Sequence, residues 1–142
     1  MSFMDTREIV SLLADISEQV STLIGEKGGV SVFRYAGRQM GRRMGAGHHG
    51  TIEDARAIIA EFFIEKDFME SIRIEEQCVM LSGCKIGLVL QERGTAAGKH
   101  ALCHFGFGLI DGVTEAVTGQ KITTMHVQSE YHVEGIHCTE TW

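Results

Sequence analysis

Apolar residues recur at helical spacing from the beginning of the chain. Residues 5–24 carry an apolar residue every three or four positions, which places these side chains on one face of an α-helix. The face consists of Ile9, Leu12, Leu13, Ile16, Val20 and Leu23. Asp5, followed by Glu8 three residues later, is typical of a helix N-terminus. The sequence therefore predicts a first amphipathic helix at residues 5–24.

Two more helices are predicted before residue 70. Residues 30–44 form the second helix and residues 51–68 the third, whose start is marked by Thr51 and Asp54. The segment between them, residues 45–50, reads GAGHHG and formally matches a dinucleotide-binding fingerprint. That fingerprint needs a preceding β-strand, whereas a helix precedes it here. We therefore interpret this segment as a loop between helices.

The spacing of apolar residues changes to two after residue 70. Ile72 and Ile74 alternate with polar neighbours, as in a β-strand with one buried face. Residues 78–81 and 85–90 are apolar runs bounded by a Ser-Gly turn, and we predict them as two further strands. The middle of the chain is therefore expected to contribute three strands to a sheet.

The last third of the chain is predicted to be a helix followed by a two-stranded ribbon. Residues 98–117 form the helix, which is closed by Gly119. The ribbon consists of residues 121–133 and 136–142, with Glu134 and Gly135 at the turn. This third contains two of the four cysteines, four of the seven histidines and the single tryptophan. Any specific chemistry of the chain is therefore expected here.

A two-residue turn fixes which residues of the ribbon lie opposite one another. The resulting pairs are Val133 with Ile136, His132 with His137, and Tyr131 with Cys138. The two histidines then share one face of the ribbon, with β-carbons about 5 Å apart. Cys138 is expected on the opposite face, towards the core, where it approaches Cys103 of the preceding helix. The residues expected on that core-facing side with it are Met125, Val127, Tyr131 and Trp142.

Together these elements predict an α/β fold of the α+β type, in which helices pack on an antiparallel sheet. At 142 residues the chain is long enough for one hydrophobic core, so we predict a single domain over residues 1–142. Hydrophobic residues make up 44% of the chain and charged residues 23%, which are ordinary values for a globular protein.

Charge and hydropathy exclude two classes of partner. The net charge of −6 disfavours nucleic acid, because binding to phosphates requires an excess of basic residues. No apolar run reaches the roughly 20 residues that a membrane helix needs, and the N-terminus carries no signal-peptide pattern. We therefore expect a cytoplasmic protein whose four cysteines are thiols or metal ligands rather than disulfides.

Glycines and arginines form two stripes along the second predicted helix. The glycines, spaced four residues apart, are Gly37, Gly41 and Gly45. They leave one side of the helix as bare backbone, which favours close packing against a helix or subunit, or leaves room for a ligand. The arginines are Arg34, Arg38 and Arg42. They form either a solvated or salt-bridged face or a grip for a ligand carboxylate.

Cysteines and histidines of the last third are candidate metal ligands. The candidates are Cys103, His132, His137 and Cys138. Zinc takes about four nitrogen or sulfur ligands in protein sites, and haem iron is also held by His or Cys. The alternatives are that the histidines lie on a polar, solvent-facing sheet surface and that the two cysteines simply pack in the core.

Several segments resemble the vinyl-reductase-type domain family, also known as hydrocarbon-binding domains and distantly similar to TRAPP trafficking-complex subunits. The segments are VFRYAGRQMG, LCHFGFGLIDG and EYHVEGIHC. The resemblance implies an antiparallel sheet covered by helices, a dimer, and the binding of small hydrophobic, often aromatic, molecules. It also implies a metal site at the ribbon, where Cys103 and Cys138 match two family positions. Tyr131 replaces the first ribbon cysteine, and the spacing from Gly135 to Cys138 is one residue short, so the site is either lost or rebuilt with histidines.

The leading hypothesis is a stand-alone dimeric module that binds or senses a small hydrophobic or aromatic molecule in an apolar pocket. The candidate ligand-binding residues are Phe33, Arg34, Gly37, Arg38, Met40, Phe62, Phe105, Phe107 and Trp142. One alternative is a redox protein or enzyme that ligates zinc or haem through the ribbon cysteines and histidines. Another is a ligand-free interaction subunit. No Ser-His-Asp order, paired-carboxylate motif or HExxH helix supports a hydrolase, which favours a role without catalysis.

Overall fold

The computed structural model describes residues 4–75, 77–132 and 135–142. Within these residues the chain forms five α-helices and four β-strands. The helices are α1 (Thr6–Ile24), α2 (Glu26–Gly45), α3 (Ile52–Glu65), α4 (Lys85–Glu92) and α5 (Ala101–Thr118). The strands are β1 (Ser71–Glu75), β2 (Cys78–Cys84), β3 (Met125–His132) and β4 (Gly135–Thr141).

The four strands form one antiparallel sheet in the order β1-β2-β4-β3. The main hydrophobic core lies between the inner face of this sheet and the helices α3, α4 and α5. Its central members include Ile59 and Leu109 from the helices and Val79 and Ile136 from the sheet. The predicted α+β fold, with helices packed on an antiparallel sheet, is confirmed.

Local signals at the helix ends are also confirmed. The Asp5 side chain accepts a hydrogen bond from the Glu8 backbone N–H at 2.8 Å and caps α1. Thr51 and Asp54 form a reciprocal capping box at the start of α3. Gly119 ends α5 in the left-handed conformation, with φ 76°. These short-range hydrogen bonds need no tertiary context, so the sequence alone predicts them.

The segment 85–90, predicted as a strand, is instead the helix α4, and this prediction was wrong. The thiol sulfur of Cys84 caps the helix by accepting the Gly87 backbone N–H at 3.4 Å. Leu88, Val89 and Leu90 are consecutive and all buried. Because the helix is covered on most of its circumference, its apolar run shows neither helical nor strand periodicity.

The helices α2 and α5 make the most extensive helix–helix contact of the described residues. We call this contact the α2–α5 seam; its glycines are Gly37, Gly41 and Gly45 of α2 and Gly108 and Gly112 of α5. A β-carbon at Gly41 would overlap the Leu109 carbonyl oxygen, and one at Gly112 would overlap the Arg38 carbonyl oxygen. The glycine stripe therefore serves backbone-to-backbone packing within one chain.

The register of the β3–β4 ribbon differs by two residues from the predicted one. His132 lies opposite Gly135, and Tyr131 opposite Ile136. The predicted Glu134-Gly135 turn and the Val133–Ile136 pair involve residues 133 and 134, which lie outside the described residues. The shift of two leaves the side chains from Gln128 to His132 on their predicted faces. The irregularity between His126 and Gln128 moves Met125 and His126 to the opposite faces from those predicted.

The apolar residues of β3 were predicted to face the core, and this prediction was wrong. Met125, Val127 and Tyr131 are each more than half exposed, whereas Cys138 is buried and Trp142 is half-buried. β3 is an edge strand, and its pairing with β4 is irregular between His126 and Gln128. At this edge the helices do not cover the sheet, so alternation of residue types no longer reports burial.

Candidate functional site

A small cavity lies between α5 and the inner face of the sheet. Its volume is about 40 Å³, and α3, β2, α4, the segment before α5 and β4 complete its walls. The lining is apolar apart from three thiols and one carboxyl group. The residues are Phe63, Met69, Leu81, Cys84, Ile86, Gly87, Ala97, Gly98, Leu102, Cys103, Gly106, Phe107, Ile110, Cys138 and Glu140.

Glycines bring bare backbone to the cavity wall. Gly98, with φ 88°, lies directly against the His126 ring, so a side chain there would overlap the imidazole. Gly106 on α5 is different, because a β-carbon there would meet only Phe63 Cζ, at 3.8 Å. That distance is an ordinary van der Waals contact, so the space in front of Gly106 is open. Gly106 is therefore the position from which the cavity can most readily be filled.

Three cysteine thiols surround the same space. Cys84 and Cys138 are buried and Cys103 is nearly so. Burial raises the pKa of all three thiols, that of Cys103 to about 12. At neutral pH they are uncharged thiols, so they do not act as thiolate nucleophiles in this state. Cys103 Sγ accepts a hydrogen bond from the Gly98 backbone N–H at 3.4 Å, which ties the loop before α5 to the helix.

Among the described residues, Glu140 is the only one that contributes a carboxyl group to the cavity wall. It is 1% exposed, and burial raises its pKa to about 8. His126 Nδ1 lies 3.0 Å from a carboxyl oxygen of Glu140. Burial, and then the charge of Lys99, lower the pKa of His126. Although the distance fits an ion pair, both shifts favour the uncharged forms, so at neutral pH the two side chains form a neutral hydrogen bond.

Three side chains beside the cavity lie close enough together to hold a metal ion. The ligand atoms of His126, Cys138 and Glu140 all lie within 4.8 Å of one another. Zinc accepts this combination of nitrogen, sulfur and oxygen ligands. Among the residues that the structure describes, no other group of three potential ligands is as close. Cys103 lines the same cavity but is not part of this close group of three.

The four metal ligands suggested by the sequence are divided between two places. Cys103 and Cys138 both line the cavity, and Cys103 contributes to the raised pKa of the Cys138 thiol after burial, Cys84 and Glu140. His132 and His137 stack on each other with ring centroids 3.8 Å apart. They lie on the other face of the ribbon, since neighbouring residues of a strand point to opposite sides. The structure thus brings the cysteines together with His126 and Glu140 rather than with the histidine pair.

The ligand-binding residues suggested by the sequence are similarly divided. Of the nine, Phe107 lines the cavity. Met40, Phe62, Phe105 and Trp142 are half-buried and pack against the main core, and Phe33 is half-buried on α2. Gly37 meets the α5 backbone in the α2–α5 seam.

The arginine stripe of α2 forms a ladder of ion pairs with α5. Arg34 and Arg38 donate to Asp111 Oδ2 at 3.2 and 3.1 Å, and Arg42 donates to Glu115 at 3.1 Å. Asp111 is fully buried, and its other oxygen accepts from the Thr124 backbone N–H and hydroxyl at 2.8 and 2.6 Å. These charges are therefore used inside the chain. Arg34 also lies over the ring of the cavity-lining Phe107, with its Cζ 5.8 Å from the ring centroid.

Sequence reasoning missed Glu140 and His126. A signal for Glu140 was present, because the alternation that turns Cys138 inward also turns Ile136 and Glu140 inward. His126 carried no such signal. It reaches Glu140 only because the pairing of β3 with β4 shifts after it, and a shift of that kind has no sequence signature here.

Comparison with known proteins identifies a shared fold. No protein-family model matches the sequence, and no curated protein matches it in a sequence search. Among solved structures, the chain is similar to the phenol-responsive sensory domain of the transcription activator PoxR, determined with phenol. The TM-score is 0.62 and the identity 14%, over 99% of this chain and 76% of that chain. No helix of the described residues is long and apolar enough to span a membrane. The similarity to the solved structure shows that the chain shares the fold of that domain.

Proposed function

We propose that this chain binds a small, uncharged hydrophobic or aromatic molecule in the cavity beside α5. The observation that carries the proposal is the cavity itself, an apolar space inside the core with a single polar pair, Glu140 and His126, at its edge. Ligand pockets of this kind combine apolar walls with a few polar groups that orient the ligand. The fold likeness to a phenol-responsive sensory domain supports the same reading.

The cavity must expand to admit an aromatic ring. Its volume is about 40 Å³, whereas a cavity of about 150 Å³ accommodates benzene. Met69 is an unbranched and adaptable side chain of the wall, and Gly106 offers open space opposite Phe63. Ligand entry therefore rearranges side chains of the wall, and this rearrangement distinguishes the bound from the free form, as a sensor requires.

The polar pair defines the class of ligand. An uncharged carboxyl group at Glu140 both donates and accepts hydrogen bonds, so it can orient a hydroxyl group on the ligand. A carboxylate ligand is disfavoured, because none of the described residues lining the cavity has a cationic side chain to offset the cost of burying the ligand's charge. Phenol-like molecules should therefore bind better than benzene, and benzoate should not bind.

The test combines native mass spectrometry with calorimetry. The untreated protein should carry a small apolar molecule, and the emptied protein should bind phenol more tightly than benzene. Replacing Gly106 by Ala, Val and Leu should weaken phenol binding step by step, by at least about tenfold for Leu, because the side chain fills the cavity. The alanine variant controls for folding, since it adds only one methyl group. Equal phenol affinity across the series would show that the cavity is not the binding site.

A second candidate function is metal binding, favoured by the closeness of His126, Cys138 and Glu140. A divalent ion would compensate the buried carboxylate and take up the thiolate form of the cysteine, and its uptake would release protons. Elemental analysis of the purified protein tests this function. Cys138→Ser should abolish the metal content, whereas Cys78→Ser, at a half-buried cysteine outside the cavity, should not change it. Absence of metal in the wild-type protein grown with added zinc would exclude it.

We also propose that the chain acts as a homodimer. The glycine stripes, which the sequence offered as a subunit contact, are occupied by the α2–α5 seam within one chain. Any dimer must therefore use a different surface. Light scattering of the purified protein tests the dimeric state directly, and a monomer at all accessible concentrations would contradict it.

A further inference from the structure

The helix α1 packs in an unusual way for an amphipathic helix. It buries three small or medium side chains, Val10, Ala14 and Ser17. Its large apolar side chains remain between 36% and 84% exposed. We call these residues the α1 stripe: Ile9, Leu12, Leu13, Ile16, Leu23 and Ile24. Single exposed apolar residues are ordinary on a protein surface, but a contiguous group of this size marks an interaction site.

The α1 stripe has the spacing of a helix–helix interface. Ile9, Ile16 and Leu23 are each seven residues apart, with Leu12 and Leu13 in between. Apolar residues at such positions, repeated every seven, form the contact line of paired helices. Ile16 is the midpoint of the stripe, because Ile9 and Leu23 are equally far from it. A stripe with a midpoint of this kind matches a second, antiparallel copy of itself, as a two-fold interface requires.

Three of the charged residues beside the α1 stripe, Arg7, Asp15 and Glu18, are already paired within the chain. Arg7 pairs with Glu92 at 2.5 Å, and Arg93 pairs with Asp15 at 2.5 Å and with Glu18 at 2.7 Å. A partner covering the stripe therefore meets flanking charges that already have counter-charges. This lowers the cost of removing water from the surface.

The size of the α1 stripe meets the requirement of a weak to moderate dimer. Six half-exposed large side chains represent apolar surface on the order of 400 Å² per copy. Since apolar atoms form about 60% of a typical interface, the whole contact would bury about 600 Å² per copy. Two copies together then exceed the ~1,000 Å² that a specific interface needs.

We propose that the α1 stripe is the surface through which two copies of this chain associate, with their α1 helices antiparallel and Ile16 at the two-fold axis. The inference rests on the dimeric state proposed above but not on the ligand. A membrane surface is a poorer partner, because the remainder of α1 is mainly acidic and the net charge of the chain is −6. The sheet edge is the competing surface within the chain, since Met125, Val127 and Tyr131 of β3 are equally exposed.

The inner side of α1 connects this surface with the cavity. Val10 and Ala14 pack in one cluster with Leu90 and Leu102. Leu102 also lines the cavity, as does Ile86, which packs against the same cluster. One layer of side chains thus separates the cavity wall from the proposed interface.

The first experiment measures self-association by sedimentation over a range of protein concentrations. Ile16→Glu should weaken association by at least about a hundredfold, since the dimer would bury two like charges next to each other. The matched control is Val127→Glu, which places the same charge on an equally exposed apolar residue of the sheet edge. It should associate like the wild type. Both changes lie on the surface, so circular dichroism should show folded protein in each case.

The second experiment tests whether the two-fold axis of the dimer lies at Ile16. Ile16→Cys should form an intermolecular disulfide readily under mild oxidation, whereas Val127→Cys should not. A monomeric wild type would overturn both the dimer and its surface. A dimer that Val127→Glu disrupts and Ile16→Glu leaves intact would overturn the surface alone. A monomer that binds anionic vesicles through α1, and loses this binding in Ile16→Glu, would replace the second copy by a membrane.

Discussion

The two sides of α5 show glycine used for opposite purposes. Towards α2, Gly108 and Gly112 let two backbones touch, and no space remains for a β-carbon. Towards the sheet, Gly106 faces a cavity, and a β-carbon there would meet one ring atom at 3.8 Å. A run of glycines on a helix therefore predicts a close neighbour or a void. Only the neighbouring element decides between them.

The buried carboxyl groups on the two sides differ in the same way. Asp111, in the α2–α5 seam, is held by two arginines and by two donors of Thr124. Burial raises the pKa of both carboxyl groups, but at Asp111 the hydrogen bonds from Thr124 and the two arginine charges oppose this shift. Glu140, at the cavity, has His126 as its neighbour, and burial raises its pKa to about 8. The first side is thus saturated with interactions and rigid, whereas the second retains unused volume and hydrogen-bonding capacity. Binding sites need the second kind of environment.

The largest expected effect comes from removing the central charge of the seam. Asp111→Ala leaves Arg34, Arg38 and the Thr124 backbone N–H without their shared acceptor. We expect a loss of about 4 kcal/mol in the free energy of unfolding, measured by urea denaturation. Arg42→Ala, which removes only the more exposed pair with Glu115, should cost less than about 1 kcal/mol. Equal losses in the two variants would mean that the burial of Asp111 is not what matters.

A slightly smaller loss is expected from Gly41→Ala. The new β-carbon would overlap the Leu109 carbonyl oxygen, and a backbone atom cannot move aside as a flexible side chain can. The two helices must therefore separate, at a cost of about 3 kcal/mol in the free energy of unfolding. Gly28→Ala on the same helix meets only the exposed Ile24 side chain. This control should be neutral or stabilising, since alanine favours the helix.

On the cavity side of α5, the free energy of unfolding should depend on pH through Glu140. Burial raises the pKa of Glu140 from 4.5 to about 8. Below pH 4.5 the carboxyl group is protonated in both the folded and the unfolded chain, so it has no effect on stability. As the pH rises towards 8, the unfolded chain releases this proton first, and the free energy of unfolding decreases.

Glu140→Gln isolates this contribution, because the amide cannot ionise. In metal-free protein the wild type should lose roughly 2 to 3 kcal/mol more stability than the variant between pH 4.5 and pH 7. The measurement is a series of urea unfolding curves at different pH values, with a chelator present. Parallel pH profiles for the two proteins would show that Glu140 is ionised in the folded chain, and the assignment of a neutral polar pair would then be wrong.

The smallest expected effect is a gain. Gly106→Ala should raise the free energy of unfolding by about 1 kcal/mol, because alanine favours the helical conformation of α5 and its methyl group occupies free space. The same change in the α2–α5 seam, at Gly41, should be destabilising. If Gly106→Ala were also strongly destabilising, the cavity would not be open at this position, and the contrast between the two sides of α5 would fail.

Features that depend on neighbours in the sequence were predictable. The caps at Asp5 and Thr51, the left-handed Gly119 and the inward direction of Cys138 all follow from local hydrogen bonding or from strand alternation. The helix α4 was missed because its apolar residues are buried on several sides, so its pattern lacks periodicity. The approach of Cys103 to Cys138 was foreseen, but their partners His126 and Glu140 were not.

The sequence by itself determined the class of fold and the position of most elements, because these depend on spacings of a few residues. The tertiary structure decided the register of β3 against β4. It also decided whether each glycine packs against a backbone or faces a cavity, and which groups pair with each charge. These depend on which elements meet across long separations in the chain. Arg34 shows the difference: its helix was readable from the sequence, but its partner Asp111 lies 77 residues away. The cavity belongs to the same category, since it is the space that five elements leave between them.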